Sequence, residues 1–104
     1  MNGPTVVETT AEAGTMTVTA PVRHLCPFKD EVDDGTVRIT YSLAGRTLEL
    51  HSLRAWLDTL ADRTVSHEDL TRALSDTLTH EHHLADVRVV TEWETAGMHV
   101  VVTV

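Results

Sequence analysis

The stretch HLCPFKDEVDDG, residues 24–35, holds the chain's one cysteine, Cys26, with His24 before it and four carboxylates, Asp30, Glu31, Asp33 and Asp34, behind it. A lone thiol forms no intramolecular disulfide, and a single cysteine falls short of a structural zinc site. Cys26 is therefore a nucleophile or a bystander. As a nucleophile it needs help to ionise, a task suited to imidazoles such as His24 or His67. As a bystander it is a small hydrophobe in front of a solvated acidic loop.

Two further clusters carry titratable groups. In SHED, residues 66–69, Ser66 and Asp69 have the spacing of a capping box, which explains those two but not His67 and Glu68 between them. HEHH, residues 80–83, could hold a metal through His80 and His83, yet at a helix end such residues meet free carbonyls and the helix dipole. We expect no metal there. Trp56 reads as core, and Trp93 reads equally as core or as a stacking surface.

The elements that must position these groups follow from periodicity. Met16, Val18, Ala20 and Val22 alternate with polar residues, as do Val37, Ile39, Tyr41 and Leu43, so each run predicts a half-buried strand with the Cys26 stretch as the loop between them. Leu53, Trp56, Leu57 and Leu60 share one helical face. Ser66 starts a second helix with Leu70, Ala73, Leu74 and Leu78 on one face, ending near HEHHLAD. VRVVTEW and MHVVVTV supply two more strands around a turn at Ala96–Gly97. The order ββααββ predicts an α+β fold, an antiparallel sheet with two helices on one face. VVVTV is apolar on both sides, so the second sheet face is expected to keep apolar residues and to be covered in an oligomer, or the sheet to continue past its edges as a barrel closed by several subunits. Residues 1–14, rich in Thr, Ala and Glu, predict a loose arm, and residues 15–104 a single domain.

With 8 basic against 16 acidic residues, the formal charge of −8 should repel phosphate backbones, which disfavours nucleic acid as a general partner. No apolar run approaches the roughly 18 residues of a membrane span, and MNGPTVVETTAEAG lacks the order of a signal peptide. A cytoplasmic protein is expected.

Three motifs together resemble the NADPH-dependent 7-cyano-7-deazaguanine reductases, the nitrile reductases of queuosine biosynthesis, which have the tunnelling fold. CPFKDEVD is similar to the family's Cys-Pro segment, with Asp33 seven positions after Cys26. ELHSLRAW, residues 49–56, is similar to its signature E-[SL]-K-[SA]-x-K-[LY]-[YFW]. SHED stands where the family has His-Glu-Asp. The resemblance covers roughly residues 20–93.

The resemblance implies that Cys26 attacks a nitrile to give a thioimide, that Asp33 donates a proton to the nitrile nitrogen with Asp30, Glu31 and Asp34 crowding it, and that His67 assists. It implies that Glu68, Glu49 and Leu50 bind the deazapurine base and that His51, Ser52 and Arg54 meet NADPH. The family's two lysines read His51 and Arg54 here, and its later Pro-Arg-Gly-Gly is reduced to TAGM. Sites at subunit interfaces of a homo-oligomer are implied as well. Two other functions stand beside reduction. One is that of the amidine-forming relatives, which keep the Cys/Asp pair and add ammonia to the same nitrile on transfer RNA; the other is a non-catalytic module that binds a deazapurine.

Overall fold

The computed structural model describes residues 3–104. The strands and helices run β1 (Val6–Glu8), β2 (Thr15–Leu25), β3 (Val32–Ser42), β4 (Arg46–Leu48), α1 (Leu50–Asp58), α2 (His67–Asp76), β5 (Ala85–Thr95) and β6 (Met98–Thr103). A 3₁₀ turn over Thr59–Asp62 prolongs α1, and a π turn over Thr77–Glu81 prolongs α2. Among the described residues no helix is long and apolar enough to cross a membrane.

Strands β2, β3, β5 and β6 form one antiparallel sheet in that order. The period-two alternation fixes which face is buried. Met16 pairs with Tyr41, Val18 with Ile39 and Ala20 with Val37, while β5 sets Val89 against Ile39 and Thr91 against Val37. Onto this face the helices bring Leu53, Trp56, Leu57, Leu70 and Leu74, all buried in one core. Trp56 belongs to that core, as its helical spacing implies.

Three expectations need revision. The stretch 1–14, read as a loose arm, contains β1, which pairs antiparallel with β4 through Val6–Leu48, Val7–Thr47 and Glu8–Arg46. Strands of three residues show too few positions for an alternation to register. The acidic segment is not all loop: β3 starts at Val32, so Asp33 and Asp34 lie in a strand, and Asp33 and Gly35 hold core-facing positions where an apolar residue was the signal sought. The opposite sheet face is mostly polar, not apolar. It carries Thr17, Thr19, Arg38, Thr40, Arg88 and Glu92, with Val90 set between Arg38 and Thr103 in register. Val32 and Val101, each about half exposed, are the large apolar residues it leaves open. The edges of β2 and β6 have no strand beside them among the described residues.

Gly35 lies directly across from Trp93. A Cβ built on it would stand 2.3 Å from the Glu92 carbonyl oxygen and 2.5 Å from the indole Cε3. Both distances are far inside van der Waals contact, and the backbone carbonyl cannot swing aside. Glycine is the residue that lets the indole lie flat against β3. Gly35→Ala should lower stability by about 1–3 kcal/mol through this overlap, read as a shift in urea midpoint with unchanged m-value. An unshifted midpoint would show that the strands separate at no cost.

Candidate active site

The end of β2 is tied to the segment before α2. Leu25 N–H donates to the Arg63 carbonyl (2.8 Å) and Val65 N–H to the Leu25 carbonyl (3.2 Å). Cys26 and Ser66 are the next residues on each side, so the nucleophile candidate and the start of α2 are placed together by main chain alone. Ser66 caps α2, its Oγ accepting from Asp69 N–H at 3.1 Å, which sets His67 and Glu68 in the first turn. The Cys26 loop is closed by Cys26 N–H donating to the Glu31 carbonyl (3.0 Å), and Phe28 N–H points at the Cys26 sulfur (3.4 Å).

One cavity of about 140 Å³ is lined by His24, Cys26, Asp33, His67 and Glu68, with Phe28 at its rim, 86% exposed. Asp33, 7% exposed, is paired across β2 with His24, and its Oδ2 lies 3.1 Å from His67 Nε2 and 3.8 Å from His24 Nε2. Two imidazoles thus face Asp33. The crowding by acids expected from the sequence is not what surrounds it: Asp34 points to the other sheet face and pairs with Arg23 at 2.9 Å.

His67 is held on every side. Its ring stacks on Trp93, centroids 4.5 Å apart and planes 2° from parallel, and meets His24 edge-on at 4.9 Å. Behind the stack lies a buried relay whose direction is forced at one end, because a carbonyl can only accept. Thr71 O–H donates to the His67 carbonyl (2.7 Å), Thr91 O–H therefore donates to Thr71 (2.6 Å), and Trp93 Nε1–H donates to Thr91 (2.9 Å). Every hydroxyl proton has an acceptor, so the relay fixes the first turn of α2 and the indole together.

Sequence reasoning named His24 only as one possible helper of the thiol and missed Gly35, Thr71 and Thr91. The signal for His24 was there: it continues the Met16, Val18, Ala20, Val22 series, so a titratable group sits on the buried face.

The residues of the ELHSLRAW signature do not line the Cys26 cavity. Glu49 caps α1, its carboxylate accepting from His51 N–H and Ser52 N–H at 2.8 Å each, and these two bonds hold its carboxyl below the usual range. Leu50 is half exposed. His51 is fully exposed with its ring on the Glu49 carboxylate, and Ser52 Oγ accepts from Thr5 N–H and donates to the Glu49 carbonyl. Arg54 pairs with Asp58 at 2.8 Å. It shares a groove of about 580 Å³ with Arg23, Asp34 and Asp58, so the two arginines there are matched by two aspartates. As arranged, His51 and Arg54 each lie against a carboxylate, Glu49 and Asp58, with which a bound phosphate would compete.

His24 is fully buried, and its pKa is lowered first of all by that burial; the Leu25 carbonyl at Nδ1 and the Asp33 carboxylate oppose the shift, and His67 adds to it. Unfolding returns the imidazole to about 6.5, so below that pH the unfolded chain binds a proton that folded His24 refuses. Its contribution is present above about pH 6.5 and is lost as pH falls toward the lowered folded value. Urea midpoints followed from pH 8 to 5 should drop in this window, and His24→Leu should flatten the drop; parallel profiles would mean that other groups cause it.

A family model described as "QueF-like protein" matches residues 33–104. The expectation that the resemblance stops near Trp93 is too short at that end, while Cys26 precedes the match. The NADPH-dependent 7-cyano-7-deazaguanine reductase of Anaeromyxobacter dehalogenans is 32% identical over 80 residues, 76% of this chain and 66% of its own length. That of Frankia casuarinae is 38% identical over 53 residues, 51% of this chain and 42% of its own length. The chain thus spans only about half the length of such relatives. Among solved structures, the archaeosine synthase QueF-Like in its apo form superposes with a TM-score of 0.83 at 20% identity, over 92% of this chain and 94% of that one. The expected tunnelling fold is thereby shown.

Proposed function

This chain belongs to the QueF-like protein family, and from that premise we propose that Cys26 captures the nitrile of a 7-cyano-7-deazaguanine base as a thioimide. The observation that carries this reading is the meeting of Cys26, Asp33, His67 and Glu68 around one cavity. The sulfur forms a bond to the nitrile carbon, one π bond of the nitrile breaks, and its nitrogen gains a proton. The thiol proton passes to the His67/Asp33 pair and the same pair protonates the nitrogen, so the addition needs no other reactant. Glu68, on the exposed first turn of α2, accepts the adjacent N–H groups of the base. Glu49, away from the cavity in this chain, reaches a base only if another copy brings its own Glu49 to this cavity. The free edges of β2 and β6 and the exposed Phe28 support such an assembly.

Two continuations from the thioimide follow from two observations. The relatives' name makes reduction to the aminomethyl base the first; it would need two hydrides, which two NADPH would supply, with the C–S bond broken between the two transfers and the thiolate released. The matched charges around Arg23 and Arg54 favour the second, in which ammonia attacks the thioimide carbon, the C–S bond breaks and an amidine leaves a free thiolate.

Mixing the protein with 7-cyano-7-deazaguanine should add the mass of the base without any cofactor, and Cys26→Ala should abolish the adduct. An adduct that survives in the alanine variant refutes capture by Cys26. Adding NADPH or ammonium to the adduct then identifies the continuation from the mass of the released product. In the Cys26→Ala background, where binding is purely non-covalent, Glu68→Gln should weaken the base by about 2–4 kcal/mol, since it loses a charged acceptor and presents a donor to an N–H group. Unchanged affinity by calorimetry would leave Glu68 as a helix-start residue alone.

A further inference from the structure

His24 Nδ1 lies 3.1 Å from the Leu25 carbonyl oxygen. A carbonyl accepts, so Nδ1 carries the ring proton and Nε2 presents a bare lone pair. His24 is 0% exposed, and its Nε2 is the one buried side-chain polar atom without a hydrogen-bond partner among the described residues. What faces it at 3.8 Å is Asp33 Oδ2, a second acceptor. At that distance the two acceptors share no hydrogen bond, and a cation between them would satisfy the buried Nε2.

We propose that His24, Asp33 and His67 form a binding site for a divalent transition-metal ion of the zinc class. One ligand atom from each of the three lies within 4.8 Å of the others. Metal bonds of about 2.0–2.2 Å place tetrahedral ligand atoms about 3.3–3.6 Å apart; the 3.1 and 3.8 Å separations from Asp33 Oδ2 bracket that range, and the two imidazole nitrogens, within 4.8 Å of each other, would draw together on binding. Two imidazole nitrogens and one carboxylate oxygen suit zinc, cobalt or iron rather than calcium or magnesium. His24 makes the outer contact of a metal-binding histidine, its Nδ1–H on a backbone carbonyl, and the stack on Trp93 fixes the ring plane of His67. All three ligands line the cavity that also holds Cys26, from which a fourth ligand would enter. His80 and His83 belong to no such group among the described residues.

An ion here takes His67 Nε2 and Asp33, the atoms assigned above to proton delivery. Bound metal and thioimide formation therefore exclude each other, a consequence that, unlike the site itself, rests on the proposed function.

The test is titration of the full chain with Co²⁺, read by its visible d–d absorption, followed by X-ray absorption of the Zn²⁺ form. One equivalent should bind, with outer-shell scattering from two imidazoles and no sulfur ligand. His24→Gln and Asp33→Asn should each weaken binding at least tenfold, while His80→Ala should leave it unchanged. Absence of binding at millimolar Co²⁺, a sulfur in the first shell, or equal affinity in the His24 variant overturns the proposal. If either variant fails to fold, the ligand set of the unmutated protein decides. The adduct mass experiment needs no metal, so failure of one reading is distinguishable from failure of the other.

Discussion

Two main-chain hydrogen bonds between Leu25 and the Arg63–Val65 segment hold the candidate site together. They form a single parallel bridge, outside the sheet and outside both helices. Without it the tip of the β2–β3 hairpin would be joined to α2 through side chains alone, the Asp33–His67 pair and the His24–His67 ring contact. With it, a loop nucleophile and a helix start share one rigid junction. Catalytic groups on loops gain their precision from such ties to a scaffold.

Charge is arranged with the same economy. The chain carries a formal charge of −8, yet its cations near α1 do not stand alone: Arg23 and Arg54 each meet an aspartate. Exposed pairs of this kind add little to stability. Their effect is on the groove, which they leave close to neutral. The buried polar groups follow another logic. Asp33 has histidines on two sides, the threonine relay satisfies its own protons at the junction of β2, β3, β5 and α2, and the Tyr41 hydroxyl is satisfied separately by Leu48 N–H and Thr47 of β4.

Much of this was legible in the sequence. Periodicity gave four long strands and both helices, because each buries a face wide enough to impose its period, and Ser66 announced the start of α2. Cys26, Asp33, His67 and Glu68 were picked out by residue type and by a family resemblance, and the fold brings all four to one cavity. What stayed hidden has physical reasons. β1 and β4 are too short to show alternation. The outer face of the sheet reads as polar only once the register sets Thr, Arg and Glu side by side. Gly35, Thr71 and Thr91 matter through what lies across from them in space, and a glycine or threonine in isolation looks the same whether it faces solvent or an indole. The signature ELHSLRAW marked the start of α1, but a cofactor grip depends on whether its cations are already paired, which no spacing reveals.

The face-to-face placement of Gly35 and Trp93 restricts how this protein can diverge. A side chain at position 35 meets both the indole and the Glu92 carbonyl oxygen, so reducing position 93 removes only part of the overlap and the strand must shift as well; a large aromatic at 93 can lie where it does only with glycine at 35. Such sign-dependent coupling makes the order of substitutions matter, since the intermediate carrying both bulky groups pays the overlap in full. Trp93 also carries the stack against His67 and the proton that opens the threonine relay, so shrinking it loosens the candidate site before the strand gains any freedom. The two positions are thus expected to change together or not at all across descendants that keep the chemistry, and to uncouple in those that have lost it.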